Sequence, residues 1–356
     1  DMGLPNINIA FQSTAASAVQ RSEKGVVALI LKDAKENGGH AYTNVTQVPS
    51  TLGAANQAYV QQAFLGYVNP PRKVLVYVLP AEAEALTDAL SWLATQVFDY
   101  LAGPPDCSET EATAIATWIA SRRTNDAAIC KAVLPNQAAD SEAIVNFTTD
   151  DILVGDTEYT TAQYCARIAG LIAGTPMTIS CTYAPLAEAS DIGRLTRAEM
   201  DAAINAGKFI LFHDGEKVKV GRGVNSLQTT TQDKGDAWKK IKLVEVMDMI
   251  QTDIRTTAQD SYIGKYANSY DNKCLLISAI KGYLTSLEQA GILRAGSSSV
   301  GIDTAAQEAY LQSTGVDTSK LSEQEIKEAN TGDKVFLQAS IQILDAIEDI
   351  NLNITI

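Results

Sequence analysis

The sequence predicts an α/β fold, α+β when the whole chain is counted. Short continuous apolar runs at 26–31 (VVALIL) and Lys73–Leu79 (KVLVYVL) suit strands buried on both faces. Segments with apolar residues at helical spacing lie between such runs. The composition is globular, 46% hydrophobic and 20% charged over 356 residues, a length that predicts two or three domains.

The elements follow in order. Residues 3–20 carry little charge, and Ile7, Ile9 and Phe11 alternate with polar or small residues as in an extended strand. Small polar residues at 13–17 then read as a soft connection. The strand at 26–31 precedes a helix over 53–67, the strand Lys73–Leu79 and a helix near 86–97. Gly103-Pro104-Pro105 reads as a linker or turn. Ser108 followed by acidic residues starts a strong helix, with Ile115, Trp118 and Ile119 on one face. Strands are expected at 128–134 and 143–147, helices at 160–173 and 197–206, and loop or strand at 177–183. The run 209–213, the turn Asp214-Gly215 and the run 217–220 predict a β-hairpin. From Asp236 an amphipathic helix runs to about 258. Another spans roughly 272–290 and stops at Gly291. Residues 296–333 are polar, with a short helix near 322–329 and little core material. Val335, Leu337, Ala339, Ile341 and Ile343 then alternate on one side, and Leu352, Ile354 and Ile356 do so again at the end.

Charge and rare residues exclude several chemistries. With 42 acidic and 28 basic side chains, the net charge of -14 opposes binding nucleic acid or an anionic membrane through the overall field. No run reaches the 18 or so apolar residues of a membrane span, and the N-terminus lacks the basic and apolar regions of a secretory signal. Two histidines, His40 and His213, leave little room for zinc or a Ser-His-Asp triad. The five cysteines never form CxxC and read as reduced, mostly buried thiols. Gly221-Arg222-Gly223 lacks the third glycine of a dinucleotide loop and reads as a turn. His213-Asp214 sits at the hairpin turn, where Asp-Gly is ordinary turn chemistry. Asp248, Asp253 and Asp260 read as a solvated acidic face. No catalytic, cofactor or metal site is expected.

Between Lys208 and Lys242 the chain holds eight basic and four acidic residues, a local excess of four positive charges. This is either a docking surface for an acidic partner or a solvated helix flank. The alternating ends are more informative. A lone strand has unpaired backbone groups on both edges, and pairs either within its own domain or with the sheet of a neighbour.

Several of these segments together resemble the tail sheath proteins of contractile bacteriophage tails and phage-tail-like bacteriocins. The pieces are residues 209–231 (FILFHDGEKVKVGRGVNSLQTTT), 238–253 (WKKIKLVEVMDMIQTD), Tyr262-Ile263-Gly264-Lys265 with Asn268, residues 335–343, the terminal NLNITI and the opening GLPNINIAFQ. The resemblance implies an N-terminal arm (1–20), an N-terminal α/β segment (21–100), and a subtilisin-like α/β domain without catalytic residues (101–235). An α/β inner domain nearest the tail tube (236–344) and a C-terminal strand arm (345–356) would complete the chain. It further implies a non-enzymatic subunit that stacks as hexameric rings around the tube and contracts from a metastable extended state. Arm residues would be Ile7, Ile9, Phe11, Leu352, Ile354 and Ile356, with Val335, Leu337, Ala339 and Ile341 on the receiving strand. Lys234, Lys239, Lys240 and Lys242 would be candidates for touching the tube. The implied partners are further copies of the chain, the tube protein, and baseplate and tail terminator proteins, on a virion tail assembled in the host cytoplasm. Nucleic acid and membrane insertion are not among them. The competing classes are a degenerate hydrolase-like or nucleotide-binding α/β enzyme and an unrelated self-assembling shell protein.

Overall fold

The computed structural model describes residues 25–355, which divide between two compact units. Of the described residues, one comprises 25–245 with 345–355 and the other Val246–Leu344.

The first unit is built on β1 (Val26–Lys32), β2 (Gly38–Tyr42), β3 (Lys73–Leu79), β4 (Tyr100–Ala102), β5 (Lys131–Pro135) and β6 (Ile144–Phe147). After a small antiparallel sheet of β7 (Ile152–Val154), β8 (Thr157–Tyr159) and β9 (Ala189–Asp191), β10 (Lys208–Phe209) returns to the large sheet. The strand order is β10-β6-β5-β4-β1-β3-β2, parallel throughout except for β2 on the edge. Four helices cover it: α1 (Ala54–Ala63), α2 (Thr87–Leu93), α3 (Glu109–Asn125) and α4 (Thr161–Ala173). Alternation explains the unbroken apolar strands. Val27, Leu29 and Leu31 pack with α1 and α4, while Val26, Ala28 and Ile30 pack with α2 and α3. Burying each such side chain contributes about 1.5–3 kcal/mol.

Helix boundaries follow local chemistry. Ser108 and Thr160 close capping boxes with Glu111 and Gln163, as does Thr196 with Glu199 at the start of α5 (Arg197–Asn205). Helices α1 and α4 approach closely at Gly170, where a Cβ would lie 2.1 Å from the Ala63 carbonyl oxygen. The close approach is thus restricted to glycine at this position.

Some expectations are corrected. Gly103-Pro104-Pro105 is a tight turn between β4 and α3 and not a linker, because strands on both sides of it share one sheet. The expected strand at 209–213 is divided: Phe209 ends β10, and β11 (Leu211–His213) forms the predicted hairpin with β12 (Val218–Val220). The break lies at Ile210, whose carbonyl accepts from Gly221 N–H at 2.8 Å. The helix expected from Asp236 begins as a separate 3-10 turn, Asp236–Lys239, followed by α6 (Ile241–Ser261). The Lys239 carbonyl and the Ile241 N–H are taken by Asn225 and Gly223, which withdraws that stretch from a continuous helix.

In the second unit α6 is followed by α7 (Tyr270–Gln289), which ends at Gly291 with φ +74°. The buried groups on α6 include Asp248 and Asp253, and the Tyr283 hydroxyl donates to Asp253 at 2.7 Å. The expected solvated acidic face is therefore wrong for these two residues. The polar stretch 296–333 also holds more structure than its composition suggested. It carries β13 (Ser299–Ile302), α8 (Thr304–Ser313) and α9 (Glu323–Glu328), with Ile302, Leu311 and Ile326 buried. Buried Gln307, Thr318 and Thr331 supply hydrogen bonds where apolar residues are few. Finally β14 (Leu337–Ser340) pairs antiparallel with β13.

Candidate assembly sites

β14, within the expected receiving strand, and β13 form a two-stranded sheet, so among the described residues each keeps one edge without a ladder. The register runs Ser299 with Ser340, Val300 with Ala339, Gly301 with Gln338 and Ile302 with Leu337. The turn into β13 is fixed by Glu288, whose carboxylate accepts from the N–H groups of Gly296 (3.0 Å) and Ser298 (2.9 Å). The Ser298 side chain and these two amides hold that carboxyl down at about 2.

The run from Val335 is shorter as a strand than its alternation predicts. Val335 lies before β14 and is exposed, Leu337 is half-buried, Ala339 is exposed, and half-buried Ile341 follows the strand. The chain then makes a second antiparallel contact: Arg294 N–H donates to the Gln342 carbonyl (2.8 Å) and Leu344 N–H to that of Ile292 (3.0 Å).

The C-terminal segment carries the least expected feature. Three of the five residues Asp345, Ala346, Ile347, Glu348 and Asp349 are acidic, and all three pair with cations of the α/β unit. Lys240 pairs with Asp345 and, at 3.5 Å, with Glu348. Arg222 lies 2.8 Å from Asp349 and 3.6 Å from Glu348. The Glu348 side chain is only 8% exposed and also accepts from the Thr182 hydroxyl at 2.7 Å. Burial alone would lower the Lys240 pKa; the hydrogen bond that it donates to Asp345 and the Glu348 charge outweigh it and raise the value. This segment is a latch in this structure.

Beyond the latch no strand forms over residues 351–355, and Ile350, Leu352 and Ile354 are 75–79% exposed. An isolated extended segment has no ladder partner, so alternation alone cannot make it a strand. Ile7, Ile9, Phe11 and Ile356 lie outside the described residues.

The four candidate lysines are not equivalent. Lys234 sits 2.6 Å from Glu142 and over the Trp238 ring, and Lys239 is 3.0 Å from Asp236. Lys240 belongs to the latch. Lys242 is buried, and burial lowers its pKa. The local positive excess is thus largely met within the chain. Neither the Arg222 pairing nor the Lys240 pairing was legible beforehand, although five residues with three acids, on a chain with a basic stretch, was an available signal.

The histidines are occupied structurally. His40 Nε2 contacts the Glu36 carbonyl (2.6 Å), and His213 Nδ1 accepts from Gly215 N–H (3.0 Å). Asp214 accepts from two turn amides and pairs with Lys219 at 2.5 Å. These contacts account for the His213-Asp214 pair as turn chemistry.

Residues 80–226 match the phage tail sheath protein central domain and residues 233–356 its C-terminal domain. A tail sheath protein of Clostridium phage phiCD119 is 40% identical over 357 residues, covering 99% of both chains. The chain belongs to the phage tail sheath family. Its fold agrees with that of the sheath tail protein from Listeria innocua, at a TM-score of 0.71 and 18% identity, over 85% of this chain and 94% of that one. The contracted helical sheath of the anti-feeding prophage gives 0.66 at 16% identity, over 94% and 93%. Tail sheath proteins are structural, so this member is a structural protein and not an enzyme.

Proposed function

We propose that this tail sheath protein polymerises as stacked hexameric rings around a tail tube and contracts from a metastable extended state to drive the tube through a bacterial envelope. The observation that supports this best is the pairing of opposites among the described residues: a two-stranded sheet with open edges, and an apolar alternating segment without a ladder partner there. Strand addition between copies would satisfy both, giving backbone hydrogen bonds for affinity and alternate side chains for register. Because the donor and acceptor surfaces differ, the contact is head-to-tail, which generates rings or helices. Arms of this kind keep neighbours tied while each unit moves as a rigid body. The energy of contraction is stored at assembly and trapped kinetically, so no nucleotide is consumed.

In this reading residues 236–344 are the tube-proximal domain. Its receiving strand takes the C-terminal arm of one neighbour (Leu352, Ile354, Ile356) and the N-terminal arm of another (Ile7, Ile9, Phe11). The partners are further copies, the tube protein, and the baseplate and terminator proteins at the sleeve ends. The particle is a virion tail or phage-tail-like body, assembled in the host cytoplasm. Among the described residues no helix is long and apolar enough to cross a membrane. Deleting residues 351–356 is expected to abolish long sleeves while leaving a folded, soluble chain. Sleeves of normal length from that variant, seen by electron microscopy, would overturn the arm reading.

A further inference from the structure

Glu348 is the centre of the C-terminal latch, and the groups that receive its carboxylate are themselves fixed. Thr182 donates its hydroxyl to Glu348 Oε1 (2.7 Å) and accepts from the Gly223 N–H (3.0 Å) and the Ser180 hydroxyl (2.9 Å). Lys240 and Arg222 stand on the other carboxylate oxygen at 3.5 and 3.6 Å. A Cβ on Gly223 would lie 2.9 Å from Cys181 Sγ and 3.2 Å from Ser180 Oγ, so a larger residue there would push this network aside.

The apolar residues around the anchor behave differently. Ile347 is 87% exposed and Ile350 79%, against 8% for the Glu348 side chain. One residue is therefore pinned while its apolar neighbours stay outside.

The spacing gives that arrangement a consequence. In an extended chain, side chains two apart share a face. Ile350, Leu352, Ile354 and Ile356 stand two, four, six and eight residues after Glu348. Pinning Glu348 thus fixes the rotation of the whole apolar set once the segment is extended. A slip of one residue would turn Asn351, Asn353 and Thr355 to that side instead.

We propose that the Glu348 anchor sets the facing of the C-terminal arm, so that the arm leaves its own subunit with the apolar set already in phase with the strand that receives it. This rests on the arm reading above and concerns how the arm is presented, not where it goes. Because the anchor leaves the apolar set exposed, it prepares the chain for assembly and does not block it. Releasing the anchor weakens assembly in proportion to the time the arm then spends out of phase.

The test uses the full chain with alanines inserted after Asp349, and follows sleeve formation by sedimentation and electron microscopy. Asp349 and Ile350 are exposed, so the melting temperature should not change. One inserted alanine keeps anchor and arm but reverses their phase; it should raise the protein concentration needed for sleeves by about tenfold, as a tenfold smaller competent fraction would. Two inserted alanines restore the phase and should stay within about threefold of the unmodified chain, because a longer tether alone costs little. In Glu348→Ala, which has no side-chain group left to anchor, the difference between one and two alanines should vanish. Equal behaviour of the two insertions in the Glu348 chain overturns the proposal, and so does a difference that persists in Glu348→Ala. If the insertions behave alike while deletion of residues 351–356 abolishes sleeves, the anchor loses this role and the arm reading stands. If the deletion leaves sleeves of normal length, the arm reading falls and the role of the anchor falls with it.

Discussion

Arg167 on α4 shows how single residues hold the α/β unit together. Its guanidinium lies 2.5 Å from Glu188 Oε1 and donates to the Gly66 carbonyl at 2.7 Å, and Tyr164 donates its hydroxyl to the same carboxylate oxygen at 2.6 Å. Burial alone would raise the Glu188 pKa; the Arg167 charge and these hydrogen bonds reverse it and hold the carboxyl below its usual value. A depressed carboxyl stabilises the fold above its unfolded pKa, and that contribution is lost as pH falls through the folded value. Thermal melts from about pH 6 down to about pH 3 should therefore show part of the acid destabilisation vanish in Glu188→Gln. At neutral pH that variant should cost about 3–5 kcal/mol, because Arg167 is left buried without its partner charge. Identical acid profiles for the two proteins would reject this assignment. None of these partners could be paired from sequence: Arg167 sat in a helix of small residues, 21 positions before Glu188.

Elements were the most legible level. The apolar run at 26–31, the capping boxes at Ser108 and Thr160 and the Asp-Gly hairpin turn each contain, within a few residues, the interaction that forms them. Elements that depend on distant residues were misread. The separate turn before α6 exists because loop residues Gly223 and Asn225 compete for its backbone, and α8 and β13 were hidden by polar composition. The C-terminal latch is the clearest such case. Exposed ion pairs contribute little, so Asp345 and Asp349 at the rim matter less than Glu348, which is nearly enclosed. Glu348→Gln should release the segment, raising amide hydrogen exchange over residues 345–350 by about tenfold, the effect of one lost charged hydrogen bond. High salt should loosen the rim pairs of the unmodified chain more than the Glu348 contacts, since about 1 M salt shortens screening to about 3 Å. Unchanged exchange in Glu348→Gln would mean that another contact holds the arm base.

At the scale of the whole molecule, charge distribution matters more than the total of -14. The basic stretch is mostly neutralised by its own chain, which leaves Lys234 and Lys239 as the candidate lysines that are neither buried nor part of the latch. If these two touch the tube, Lys234→Glu with Lys239→Glu should weaken tube-templated assembly several-fold, and more at low salt than at high salt, as screened surface charges behave. Unaltered assembly on the tube would remove them from that contact. The sequence by itself determined the α/β class, the helix caps, the hairpin and the alternating end of the chain, because each depends on interactions within one turn or one strand. Only the tertiary structure decided that the acidic C-terminal segment is latched onto Arg222 and Lys240, and that Asp248 and Asp253 are buried. Those outcomes depend on side chains up to 127 residues apart, and periodicity carries no information about which distant residue meets which.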